Sequence, residues 1–389
     1  MLKRVRIILT VLLLLATVGV DAQVTTASMA GKVTDASNEP IIGATVQAVH
    51  QPSGSRYGTV TNVDGRYSIQ GMRTGGPYRV EISYIGYQTV IYKDITLQLG
   101  EVYNLNVEMS ESSELLNEVI VTAAKTKFTA EKTGATTNIS SAQMTQLPTV
   151  NRSISDIARL SPYANGMSFA GGDGRSTNFT IDGANFNNNF GLSSNLPGGG
   201  NPISMDAIEE VQVVVAPFDV RQTNFIGGGI NAITKSGTNT FRGTAYTYYR
   251  NQDMRGNRIN GEDLGARSDE SKTTYGFTLG GPIIKNKLFF FVNYEKEKTP
   301  GEVIKYRARE DGEDAKGMVS RTLKSDMEKV YNHLKDKYGY DAGSYTNFPA
   351  DEENTKLLAR IDWNITDRHR LSLRYNNTKT VSYTHLRAH

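Results

Sequence analysis

Few residues in this 389-residue chain are equipped for covalent chemistry. Its five histidines, His50, His333, His369, His385 and His389, are scattered without a His-Glu-x-x-His spacing, and cysteine is absent. Neither a zinc centre nor a thiol nucleophile is therefore encoded. Two glycine triplets, Gly198-Gly199-Gly200 and Gly227-Gly228-Gly229, lack the spaced Gly-Lys-Ser/Thr of a phosphate cradle. They suit close backbone packing or a positive φ instead. No nucleophile pairs with a base, so neither enzyme activity nor a cofactor is expected. The chemistry left is hydrogen bonding, and two segments offer it. Glu118, Val119, Ile120, Val121, Thr122 and Ala123 form a β-prone island in polar surroundings. Such an island either lends its main chain to the sheet edge of a partner or is a connecting strand of the next domain. The run Gly183 to Pro202 carries the amides of Asn185, Asn187, Asn188, Asn189 and Asn195. It reads as a ligand-facing loop or as a merely solvated one.

The elements that must position these segments are mainly β. Glycine (37), tyrosine (20) and phenylalanine (13) abound beside a single tryptophan, a composition of strands and turns. Net charge is +3, but the first 22 residues hold Lys3, Arg4 and Arg6 against Asp21, which leaves the remainder at +1. A nucleic-acid surface is not expected. Met1 to Arg6 is basic, Ile7 to Val20 is almost wholly apolar, and Val20-Asp21-Ala22 before Gln23 has cleavage-site spacing. Residues 1–22 therefore read as a signal peptide, the apolar run falling short of the roughly 20 residues an anchor needs. Without cysteine, an exported fold has no disulfide staples and must hold through size and strand pairing.

Residues 26–110 alternate through short strands. The turn signals are Asn38-Glu39-Pro40 and Asp64-Gly65, with Asp64 read as a turn residue, and Val80, Ile82 and Tyr84 share one face. The expected fold is a small β-sandwich. Residues 111–135 are a polar linker holding the Glu118–Ala123 island. Residues 136–236 mix helices and strands: two short helices, the second with Ile154, Ile157 and Leu160 at helical spacing, then strands around Phe179 and Ile181, Val211 to Val215 and Gly229 to Thr234.

From residue 237 the period is two. Tyr275, Phe277 and Leu279 share a face, as do Leu288, Phe290, Val292 and Tyr294, opposite Asn293 and Glu295. Leu357, Ala359, Ile361, Trp363 and Ile365 oppose Arg360, Asp362 and Asn364, and Leu371, Leu373 and Tyr375 oppose Ser372, Arg374 and Asn376. Short turns (Pro282 to Lys287, Thr366 to His369) alternate with long connections, about 252–271 and 296–354. Apolar-out, polar-in strands of about ten residues joined in this way predict a transmembrane antiparallel β-barrel. Tyr294 and Tyr375 suit its interfacial girdle, and Phe290 of the Phe289–Phe291 triplet points to lipid. Within the longest connection, Leu323, Met327, Val330, Tyr331 and Leu334 share a helical face.

These residues also carry a resemblance. "GKVTD", "PIIGATV", "TNVDGRYSI" and "SYIGY" resemble the carboxypeptidase-regulatory-like, transthyretin-like domain, which by analogy leaves a weak sugar or peptide grip open. "NEVIVTAAK" resembles the TonB box of TonB-dependent outer-membrane receptors, and residues 136–236 resemble their plug. "SMDAIEEVQVVVAPFDVRQTNFIGGGINAITKSGTN" and "YGFTLGGPIIKNKLFFFVNYE" look most like the Oar-type branch and lack the wording of the glycan-importing branch. The resemblance implies an outer-membrane receptor with its sandwich in the periplasm, set in outer-membrane lipid. Its implied partners are the energy-transducing TonB protein, an imported ligand of unknown identity and a surface lipoprotein. A surface adhesin on the same architecture is the alternative. Barrels of this kind have about 22 strands, whereas the 154 residues after Lys235 suffice for about five, so the expected barrel is incomplete.

Overall fold

The computed structural model describes residues 24–111, 119–122, 135–149, 151–187, 196, 200–215, 222, 226–265, 270–301, 306–343 and 350–384. The expected signal peptide lies outside them. Among the described residues, no helix is long and apolar enough to cross a membrane.

The first unit is a sandwich of two sheets. Its strands are β1 (Ala27–Asp35), β2 (Thr45–His50), β3 (Ser55–Val60), β4 (Arg66–Met72), β5 (Gly75–Ser83), β6 (Val90–Leu97), β7 (Val102–Asn104) and β8 (Val107–Met109). In one sheet β1 lies between β4 and the β7/β8 segments; the other runs β3-β2-β5-β6 and ends on β9 (Val119–Thr122). Alternation places Met29, Val46, Ala48, Ile69, Tyr78, Val80 and Ile82 in one core, as a two-residue side-chain period requires. Tyr84 departs from that face and is exposed, because the strand ends at Ser83. Asp64 and Gly65 form the expected turn, Gly65 at φ 71°.

The second unit is α/β. Its sheet has the order β10-β15-β16-β13-β14. These are β10 (Ala135–Ser140), β13 (Asn178–Ile181), β14 (Ala184–Asn185), β15 (Ile208–Val215) and β16 (Gly228–Thr234), with a two-residue hairpin of β11 (Ala164–Asn165) and β12 (Ser168–Phe169). Two short helices, α1 (Ser141–Gln146) and α2 (Ile154–Ala158), begin with capping boxes at Ser140 and Ser153, which satisfy backbone N–H groups that a helix leaves free. Ile154 and Ile157 are buried as their spacing predicts, but α2 stops at Ala158 and Leu160, beyond it, is exposed. The triplet glycines are steric: Gly227 has φ 96°, and a Cβ on Gly228 would lie 2.6 Å from the Phe169 ring.

The third unit is an antiparallel sheet in the order β17-β20-β21-β24-β25. Its members are β17 (Arg242–Asn251), β20 (Ser271–Ile284), β21 (Leu288–Thr299), β24 (Ala350–Asn364) and β25 (Arg370–Thr384). The connection after β17 holds β18 (Arg258–Ile259) and β19 (Glu262–Asp263); the one after β21 holds β22 (Arg307–Arg309), β23 (Val319–Leu323) and α3 (Lys324–Tyr338). Strands β20, β24 and β25 reach 14 and 15 residues, longer than the expected ten, and therefore project beyond an apolar band. Registered rows show that band. Leu288, Trp363 and Leu371 align at one end, and Phe277, Tyr294 and Leu357 align near the other. The next row is Tyr275, Lys296, Thr355 and Lys379, a girdle of aromatic and amphipathic side chains. Tyr294 fits its edge. Tyr375 does not: it pairs with Ala359 in mid-band, and the girdle aromatic is Tyr275. On the opposite face Phe289, Phe291, Asn293, Glu295, Lys356, Leu358 and Asp362 are buried. In α3, Val330 is exposed while Met327, Tyr331 and Leu334 are half-buried, so the helical face is covered only in part.

Candidate functional site

The inward face of the curved sheet holds the α/β unit. Phe291 of β21 and Leu358 of β24 belong to the same core as Ile154, Phe179, Val211 and Ile230, so the barrel sheet and the α/β unit share one apolar contact. Around it lie two polar latches. In the first, Lys356 Nζ is 2.9 Å from Glu295 Oε1, and Glu295 Oε2 accepts hydrogen bonds from Ser204 Oγ and Tyr246 Oη, each at 2.8 Å. Both charged side chains are 5 % exposed or less, and a buried pair persists only with such extra hydrogen bonds. Ser204 ends the chain segment that enters β15, so the latch grips the α/β unit just before an interior strand of its sheet.

The second latch lies nearer the sandwich. Arg360 donates to both carboxylate oxygens of Asp362, at 2.8 and 3.1 Å, and to the Thr234 carbonyl at 2.5 Å. Asp182 of the β13–β14 turn accepts from Thr234 N and Oγ1 and faces Arg374 at 3.3 Å. Arg73 of the sandwich reaches Asp362 at 3.8 Å and Ser236 at 3.2 Å. Three units therefore meet at one charge cluster. At the same level Leu99, after β6, donates its N–H to Glu210 and accepts from Gln212 and Asn138.

The sandwich also sits on the two short turns of the wall. A hydrogen-bond chain runs from His50 Nδ1 to Ser53 Oγ (2.7 Å), on to Ser55 Oγ (2.9 Å), and to Asn364. Pro52 accepts from Asn239 N at 2.8 Å. Burial, with the nearby Arg73 charge, lowers the His50 pKa to about 3, since a desolvated imidazolium is disfavoured. His50 is thus neutral at physiological pH.

The sequence-predicted site residues fall into three groups. Val119, Ile120, Val121 and Thr122 form β9, paired in parallel with Val90, Ile91, Tyr92 and Lys93 of β6; Glu118 and Ala123 lie outside the described residues. This strand joins the preceding domain, not the next. Asn185 is exposed in β14. Asn187 is turned inward: its Oδ1 accepts from Phe179 N at 2.6 Å and its Nδ2 donates to Asn178 at 2.9 Å. Its side chain therefore holds the start of β13. Asn188, Asn189 and Asn195 lie outside the described residues. Sequence reasoning missed Ser204, Tyr246, Asp182, Lys356 and both latches. The available signal was the charge on the inward face of β24, where Lys356, Arg360 and Asp362 share strand parity.

Residues 28–110 match the family described as carboxypeptidase regulatory-like domain, and residues 233–303 the outer membrane beta barrel domain. The TonB-dependent transporter Oar of Myxococcus xanthus is 25% identical over 378 residues, 90% of this chain and 33% of that protein. The chain spans about a third of the length of the curated relative it matches. Among solved structures, the siderophore receptor PirA of Pseudomonas aeruginosa aligns over 65% of this chain and 35% of that one, at 17% identity and TM-score 0.42. The ferric enterobactin receptor mutant Q482A of the same organism, in complex with enterobactin, covers 65% and 34% at 16% identity and TM-score 0.42. The curated relative is a transporter, and an outer membrane beta barrel domain belongs in the outer membrane. The chain is thus similar to the TonB-dependent transporter Oar over most of its length, and carries a match to a carboxypeptidase regulatory-like domain ahead of one to an outer membrane beta barrel domain.

Proposed function

We propose that this chain serves an outer-membrane receptor that imports a ligand when the TonB protein pulls on the Glu118–Ala123 box and shifts the plug. The reading divides the chain into signal peptide (1–22), sandwich (26–110), linker with box (111–135), plug (136–236) and barrel start (237–389). The sandwich and the short turns Lys285–Lys287 and Ile365–His369 then face the periplasm, and the long connections face outside. The Gly183–Pro202 segment belongs to the outer side in this reading. Thr378, well up β25 from the short turn, donates to the Pro202 carbonyl, and Asn187 is bonded at the outer end of β13.

The observation that carries the proposal is the attachment of the plug. Besides the Phe291 and Leu358 contact, the described residues hold it by discrete polar contacts, the two latches and the Arg152–Tyr248 and Arg250–Asn151 pairs, which a pull entering from the chain that precedes β10 would break one at a time. A lipoprotein partner would meet the outer connections, which include the exposed α3. The same α3 favours the adhesin as a second reading. The two separate on Val121→Pro in the full-length protein, because proline removes a main-chain donor. Import requires uptake to be lost while surface localisation and adhesion persist; uptake that survives the change sinks the box assignment.

A further inference from the structure

The β6 edge is the feature that the proposed import cycle does not yet use. β6 has β5 on one side, and on the other only Val90–Lys93 is regular. Beyond it the β5–β6 ladder shifts register between Val80–Tyr92 and Tyr78–Ile95, and Asp94 takes φ 62°, a bulge that ends regular pairing. The edge thus offers a four-residue berth, and the four residues of β9 fill it in parallel register. An open strand edge is a template for foreign strands, so this berth has a built-in occupant.

We infer that the β6 edge is a binding site for the chain's own box strand, which TonB must displace before any force reaches the plug. This rests on the box assignment proposed above. Its mechanical reason is the anchoring of the sandwich. Arg370 and Asn364 tie it to the barrel turns, and Leu99 and Arg73 tie it to the plug and wall. While β9 stays on β6, a pull on it loads this docked sandwich and the rim. Once β9 is released, the pull runs through the twelve residues that separate Thr122 from Ala135, a tether reaching about 40 Å at roughly 3.3–3.6 Å per residue. It then arrives at β10, the edge strand of the plug sheet. The berth therefore sets which body is moved.

The test is a reversible staple. Lys93→Cys with Thr122→Cys places two thiols on directly paired residues, within the Cα separation a disulfide needs, in a 389-residue stretch that has no cysteine of its own. In the full-length protein the pair is expected to oxidise readily. The oxidised form should bind the soluble periplasmic domain of TonB at least tenfold more weakly than the reduced form of the same variant, with reductant restoring binding and with oxidant changing the binding of neither single variant. Failure to form the disulfide would overturn the berth. Equal TonB binding by stapled and reduced protein would overturn displacement and show that TonB uses the free edge of β9. A disulfide that forms in a protein whose reduced state ignores TonB would instead refute the box assignment, and the inference with it.

Discussion

The guanidinium of Arg370, at the start of β25, lies 3.9 Å over the ring of Tyr57 in β3. Its Nη2 also donates to the Arg56 carbonyl. A residue of the second wall hairpin thus holds the outer strand of the sandwich. An exposed cation–π contact is worth about 0.5–1 kcal/mol. Arg370→Ala should therefore raise amide exchange in Ser55–Val60 several-fold without unfolding the wall, as hydrogen-exchange mass spectrometry would record. Unchanged exchange would make the contact incidental.

The Glu295–Lys356 pair predicts an asymmetry. Glu295→Ala strands a buried ammonium and should cost about 3–5 kcal/mol. The double variant Glu295→Ala, Lys356→Met should recover part of that relative to the sum of its two single variants, because no uncompensated charge remains. Denaturant midpoints of the single and double variants give the coupling energy. Additive losses would mean that the two side chains do not act as a pair.

His50 predicts a pH window. Its folded pKa, about 3, lies below the ordinary value of 6.5, so between these values the unfolded chain binds the extra proton. Stability is fully present above pH 6.5 and falls with acidification, by about 1.4 kcal/mol per pH unit, until pH 3. His50→Gln should flatten this slope in pH-dependent unfolding. The loss should register first at the Ser53–Ser55–Asn364 chain, and so in undocking of the sandwich.

Asn185 and Asn187 should differ in cost. Asn187→Ala leaves the Phe179 N–H and the Asn178 side chain short of a partner, a cost of about 1–3 kcal/mol. Asn185→Ala removes only an exposed acceptor for Asn187 N and should cost less, about 0.5–1 kcal/mol. Equal destabilisation by the two would contradict the inward placement of Asn187.

Gly228→Ala should destabilise β16 by about 1–3 kcal/mol through overpacking, since the new methyl meets the Phe169 ring. Trimming that ring by Phe169→Leu in the same chain should recover part of the loss. Such non-additivity is the signature of direct contact.

What was legible in the sequence was whatever is written at short range. The Asp64-Gly65 turn is set by neighbouring residues, and the faces of β20, β21 and β24 are set by a two-residue period imposed by lipid on one side and plug on the other. Leu160 was misplaced because helical spacing continues past the point where α2 ends. Tyr375 was misplaced because depth in the band depends on register with three other strands, not on position along its own. The latches were invisible for a related reason: Ser204 and Glu295 are 91 positions apart, and no periodicity links a serine at a strand entrance to a glutamate across the wall. The partner of β9 was likewise a question of which edge stands open, and that is known only once both sheets are assembled.

The core that Phe291 and Leu358 share with the α/β unit has a corollary for any exchange of parts. A plug transplanted into a foreign barrel would meet a wall whose knobs do not fill its hollows, and cavities and clashes of that kind cost several kcal/mol. The two surfaces are therefore complementary in shape, whereas the sandwich meets them through polar contacts, which tolerate an imperfect fit better than an apolar core does.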